Sequence, residues 1–79
     1  MPKAYITKEE REIERIKVEL TILRKRSRKS QGQIAAELGI SRQAYGNKER
    51  DANMSIKEFL TVCHILGAEP GEVIAEACR

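Results

Sequence analysis

The chain has no tryptophan, one phenylalanine (Phe59) and two tyrosines (Tyr5 and Tyr45) among 79 residues. Eight of its apolar residues are alanines. A core this poor in rings and this rich in small side chains suits close-packed helices better than a β-sandwich or barrel. There is no Gly-, Pro- or Ser-rich linker, no internal repeat and no low-complexity stretch, so one domain is expected. Two cysteines, Cys63 and Cys78, are too few for a disulfide framework and are not spaced as CxxC, so they read as free thiols of a reducing compartment. No apolar run approaches a membrane span, and MPKAYITKEERE lacks the apolar region of a signal peptide. A cytoplasmic location with no membrane partner is therefore expected. Phosphate-cradling loops, dinucleotide fingerprints and paired carboxylates are also missing, and with them any signature of an enzyme or a cofactor site.

What is present is charge, unevenly placed. Residues 1–23 carry five basic and five acidic side chains. Residues 24–50 carry eight basic side chains against only Glu37 and Glu49, a local net charge of +6. Residues 51–79 carry two basic against five acidic, a net −3. A basic middle between a neutral and an acidic flank is the asymmetry of a chain that offers one surface to a polyanion. The run RKRSRK, Arg24 to Lys29, could by itself be no more than a solvated face.

Helix signals follow one another with short gaps. Thr7 and Glu10 spell a capping box, followed by Ile13, Ile16, Leu20 and Leu23 in steps of three and four. This predicts one helix from about Lys8 to Arg26. Ser30 and Gln33 form a second box before a short helix ending at Gly39, and Ser41 is the N-cap of a third helix to about Arg50. Ser55 and Glu58 form a third box ahead of Ile56, Phe59, Leu60, Cys63 and Leu66, closed by Gly67. Pro70 opens a last helix through Val73, Ile74 and Ala77. No segment alternates as a half-buried strand does, so the expected class is all-α with five helices.

Function points to Ser30–Arg50. Two short helices joined by Leu38-Gly39-Ile40-Ser41 have the spacing of a helix-turn-helix. Ala35 is small enough for close helix crossing, and Ile34, Leu38 and Ile40 can fill the angle between the helices. On the third helix, Arg42, Gln43, Gly46, Asn47 and Arg50 form a face without an apolar residue, while Ala44, Tyr45 and Lys48 lie on the core side. Arg can fork onto guanine, and Gln or Asn onto adenine, with about 1–3 kcal/mol of discrimination per good pair. Gly46 costs the helix about 1 kcal/mol relative to Ala, either for close approach to a groove wall or as an exposed defect.

These residues carry a resemblance. From about Ile16 to Ile74 the chain resembles the Cro/CI (XRE-type, lambda-repressor-like) helix-turn-helix family. The match rests on Leu23-Arg24, Ser30-Gln31, Ile34-Ala35, Leu38-Gly39-Ile40-Ser41, Glu49 and Leu66-Gly67 with Pro70. It implies a five-helix lambda-repressor-like DNA-binding domain over 16–79, with the helix-turn-helix at about 30–50 and residues 1–15 extending the first helix. It further implies that Arg42, Gln43, Asn47 and Gly46 meet bases in the major groove, that Gln31 meets a phosphate from a helix N-terminus, and that Arg24 and Glu49 form a structural ion pair. The expected phosphate set is Gln31, Ser41, Lys25, Arg26, Arg28, Lys29, Arg50, Asn53 and Lys57. Departures from the family pattern are Lys29 for an apolar residue, Lys48 where a buried Ile, Leu or Trp is common, and Asp51 for Gly.

The implied function is a sequence-specific regulator of transcription that binds double-stranded DNA as a homodimer, a repressor of phage, plasmid or mobile-element type. The alternatives are an antitoxin or accessory module that uses the fold to hold a protein partner (a toxin or antirepressor), or a restriction-modification controller. Cys63, His64 and Cys78 do not make a metal site, because residues 63 and 64 point about 100° apart on a helix and no fourth ligand has matching spacing. The same geometry argues against a catalytic Cys–His pair. The stripe Ile13–Leu23 covers only about two heptads; its later half reads as core and its first half as a surface for a second subunit.

Overall fold

In the computed structural model, residues 7–51 and 53–79 are described; residues 1–6 of the expected 1–15 extension, including Tyr5, lie outside them, as does Ala52. The described residues form five helices and no strand: α1 (Lys8–Arg26), α2 (Gln31–Leu38), α3 (Arg42–Asp51), α4 (Ile56–Leu66) and α5 (Pro70–Ala77). None of these helices is long and apolar enough to cross a membrane.

The helix boundaries follow from local chemistry. In each of the three capping boxes, a hydroxyl accepts the N3 backbone N–H while the N3 side chain accepts the N-cap N–H, as with Glu10 N to Thr7 Oγ1 at 3.0 Å and Thr7 N to Glu10 Oε1 at 2.9 Å. Ser41 caps α3 by accepting Ala44 N–H at 3.0 Å. Gly39 (φ 75°) and Gly67 (φ 70°) end α2 and α4 in the left-handed conformation, which an L side chain resists. At the end of α1 no glycine is available: Arg28 takes φ 58°, and Lys29 N–H returns to Arg24 O.

The core gathers one or two residues from every helix. Ile34, Tyr45, Val62 and Cys63 are fully buried, joined by Leu20, Ala35 and Val73, with Ile16, Leu23, Leu38, Ile40 and Phe59 packed around them. Burying each such aliphatic side chain contributes about 1.5–3 kcal/mol. Of the apolar residues read along α4, Phe59, Cys63 and Leu66 pack in or against the core. Ile56 and Leu60 are exposed, and the buried row is Phe59, Val62, Cys63 and Leu66, spaced i, i+3, i+4, i+7. The contacts of α4 with α2, α5 and α1 select this face of the helix. The first two turns of α1 lie largely outside the core, since Leu20 is its one buried residue.

Candidate nucleic-acid interface

Helices α2 and α3 make the most extensive pairing in the molecule. Tyr45 and Glu49 are the buried residues of α3, while Ala44, Gly46 and Lys48 are half-buried. The opposite side leaves Arg42, Gln43, Asn47 and Arg50 exposed, so one short helix presents a polar row along its length. Arg42 sits at the start of that row, and its stem lies over α2: a Cβ at Gly32 would stand 3.7 Å from Arg42 Cδ.

What fixes the row is a buried polar cluster behind it. Arg24, near the end of α1, donates through Nε to Glu49 Oε2 at 2.8 Å and through a terminal nitrogen to Glu49 Oε1 at 3.1 Å. Its other terminal nitrogen donates to the carbonyl of Lys29 at 3.1 Å. Gln31, the first residue of α2, donates its amide N–H to Glu49 Oε1, also at 3.1 Å. One carboxylate therefore ties α1, α2 and α3 together. Burial alone would raise the Glu49 carboxyl, but the hydrogen bonds and charge of Arg24, with Gln31 and the neighbouring Tyr45 hydroxyl, hold it below its usual value. The Tyr45 hydroxyl is buried beside Glu49 without a partner at hydrogen-bonding geometry, and burial first, then the Glu49 charge, pushes its pKa far up.

Two of the expected contact residues also meet each other inside the molecule. Gln31 spends one N–H of its side-chain amide on Glu49, and its second amide N–H and its backbone stand at the N-terminus of α2. Gly46 is half-buried against α2 and not open on the outer face: a Cβ there would come within 3.3 Å of Gln31 Oε1. The missing side chain makes room for the Gln31 amide.

The remaining residues of the expected phosphate set flank the row. Lys25, Arg26 and Arg28 are exposed at the end of α1, and Lys29 is half-buried just before α2. Because Arg24 binds both Lys29 O and Glu49, this basic stretch is pinned beside the end of α1 and the start of α2. Ser41, Asn53 and Lys57 are exposed, and the Ser41 hydroxyl oxygen already serves as the α3 cap. Arg50 is exposed but pairs with Asp51 at 3.2 Å, which neutralises part of its attraction for a phosphate.

Sequence spacing gave no signal for the Gln31–Glu49 bond or for the role of Lys48. The Lys48 ammonium lies 3.3 Å from Glu58, whose carboxylate also completes the α4 capping box, so this pair ties α3 to the start of α4. Among the described residues no three His, Cys, Asp or Glu side chains gather as a metal site; Cys63 is buried, and His64 and Cys78 are exposed.

No family model matches this chain, nor does any curated protein or solved structure.

Proposed function

We propose that this protein is a sequence-specific double-stranded DNA-binding regulator of transcription with a lambda-repressor-like fold, in which α2 and α3 act as the helix-turn-helix. The observation that carries this reading is the exposed row Arg42, Gln43 and Asn47, backed by the Arg24–Glu49–Gln31 cluster. A rigid helix with forked donors outward is what base edges in a major groove require, and a row on a floating helix would lose that register. The adjoining Lys25, Arg26 and Arg28 supply the sequence-independent attraction to phosphates, within a stretch of net charge +6. With two copies bound, half-sites lie about 34–36 Å apart, one turn of the duplex.

The test is selection of bound duplexes from a random library at two salt concentrations. Arg42→Ala is expected to relax base preference at one position of each half-site, at a cost of about 1–3 kcal/mol on the preferred site. Lys25→Ala is expected to weaken binding to all sequences alike and to shallow the log–log salt slope by about 0.9. Equal, uniform losses for both variants, or no enrichment of any sequence by the parent protein, defeat the assignment.

A further inference from the structure

Among the described residues, the hydroxyl of Tyr45 is the one buried side-chain polar atom without a hydrogen-bond partner. Tyr45 is fully buried and stands one turn before Glu49, on the same face of α3. Its hydroxyl lies beside the Glu49 carboxylate without meeting it at hydrogen-bonding geometry. A buried hydroxyl in that state has lost its bonds to water and gained none in return, which calls for a reason. A phenylalanine would fill the same space and avoid the loss.

The carboxylate it faces takes its donors from other helices. Arg24 on α1 gives two N–H groups, to Oε2 at 2.8 Å and to Oε1 at 3.1 Å, and Gln31 on α2 gives one to Oε1 at 3.1 Å. A carboxylate accepts about four hydrogen bonds, so one place is open. The donors differ in how firmly they are held. Arg24 grips both oxygens and is anchored again on the Lys29 carbonyl. Gln31 is half-buried at the first residue of α2, where the free N–H groups of the helix end attract an anion. Of the three bonds, the one from Gln31 is therefore the one for which an incoming phosphate competes.

We infer that Tyr45 is a positioning residue, a reserve donor whose hydroxyl takes up Glu49 when the Gln31 amide turns to a phosphate. The bond from Gln31 holds the carboxylate toward α2. Once that bond is released, the carboxylate settles onto the hydroxyl of its own helix, while Arg24 keeps α3 tied to α1. Satisfying a buried hydroxyl offsets the lost Gln31 bond, so the amide reaches outward with little loss to the fold. That the phosphate belongs to a duplex rests on the DNA-binding reading; that the hydroxyl and the amide replace each other on Glu49 does not.

Urea unfolding without DNA tests the replacement alone. Tyr45→Phe is expected to shift the unfolding equilibrium of the parent by less than about threefold, because the hydroxyl makes no bond there. Gln31→Met keeps the length of the side chain and removes its donors. In that background the hydroxyl is engaged, and Tyr45→Phe should favour unfolding by about 10-fold or more. Gln31→Ala is a second background and should give the same contrast. Equal effects of Tyr45→Phe with and without the Gln31 amide, as a merely structural tyrosine would give, overturn the inference. Duplex binding should show the opposite dependence. Tyr45→Phe lowers affinity about 10-fold where Gln31 is present, alike for the selected site and a scrambled one, and has no effect in Gln31→Met. A parent that enriches no sequence but shows the unfolding contrast defeats only the DNA reading. A parent that selects its site with an affinity untouched by Tyr45→Phe keeps that reading and overturns the release of Gln31.

Discussion

The guanidinium of Arg24 grips both oxygens of the Glu49 carboxylate, at 2.8 and 3.1 Å, from a position where the two side chains are 12% and 5% exposed. Such a bidentate pair has fixed geometry as well as charge, and here it joins the end of α1 to the last turns of α3. Removing one partner strands the other charge. Glu49→Ala is expected to destabilise the fold by about 3–5 kcal/mol, as measured by urea unfolding. A domain of this size holds only about 4–12 kcal/mol in all, so the variant gives up a large share of it. The double variant Arg24→Met with Glu49→Leu is expected to lose much less than the sum of the single changes. Additive losses across that cycle would show that the pair is not coupled.

Most of the fold was written locally. Capping boxes at Thr7, Ser30 and Ser55, with glycines at 39 and 67, act within a few residues of themselves, and spacing alone reveals them. What spacing could not reveal depended on partners distant in sequence. That Ile56 and Leu60 stay exposed while Phe59, Val62, Cys63 and Leu66 turn inward is decided by the packing of α4 against α1, α2 and α5, which no local pattern encodes. Lys48 stands where a buried apolar residue is common until Glu58 is beside it, and spacing leaves Gly46 open between close approach to a groove wall and an exposed defect, with no sign of the Gln31 amide beside it. In the candidate interface, the exposure of Arg42, Gln43 and Asn47 was legible from helical periodicity, whereas the turn of Gln31 inward onto Glu49 was not.

Acid should unfold the protein through the same cluster. The Glu49 carboxyl is held below its ordinary value near 4.5, with Arg24 and Gln31 overcoming the cost of burial. Glu58, through the Ser55 N–H and then Lys48, and Asp51, through Arg50, are shifted in the same direction. A depressed folded-state pKa contributes stability above the unfolded value and loses it as pH falls through the folded one. The unfolding free energy is therefore expected to change little with these groups above about pH 5.5 and to fall progressively below about pH 4.5. Urea titrations at stepped pH should show a shallower fall for Glu49→Gln, which has lower stability at neutral pH but one fewer proton to take up. An unchanged slope would remove Glu49 as a source of the acid sensitivity.

Gly46 offers a test of why a helix-weakening residue stands in the middle of α3. Alanine there gains about 1 kcal/mol of helix propensity. Its Cβ, however, meets Gln31 Oε1 at 3.3 Å and crowds the amide that donates to Glu49. Gly46→Ala alone is expected to leave stability within about 0.5 kcal/mol of the parent, because the two effects oppose each other. In a Gln31→Ala background the crowding is gone, and the same change should stabilise by close to the full ~1 kcal/mol. Equal effects in the two backgrounds would mean that Gln31 does not dictate the glycine.

Arg28 sets stability against binding. It occupies the left-handed region at φ 58°, where glycine ends α2 and α4, and its side chain is exposed with no contact that requires the conformation. The left-handed backbone costs an L residue about 1 kcal/mol, a cost that glycine largely escapes. Arg28→Gly is therefore expected to raise the unfolding free energy by up to about 1 kcal/mol, or the melting temperature by about 4–8 °C. If Arg28 meets a phosphate, the same change lowers affinity for every duplex and cuts the salt slope by about 0.9. Arg28→Ala separates the two effects, since it removes the charge while keeping the backbone cost: affinity falls as it does for glycine, and the melting temperature does not rise. Thermal unfolding and salt-dependent binding of the three proteins decide the matter together. A glycine variant that is both more stable and equally avid for DNA would show that this arginine is merely a poor helix terminator, with no part in holding a polyanion.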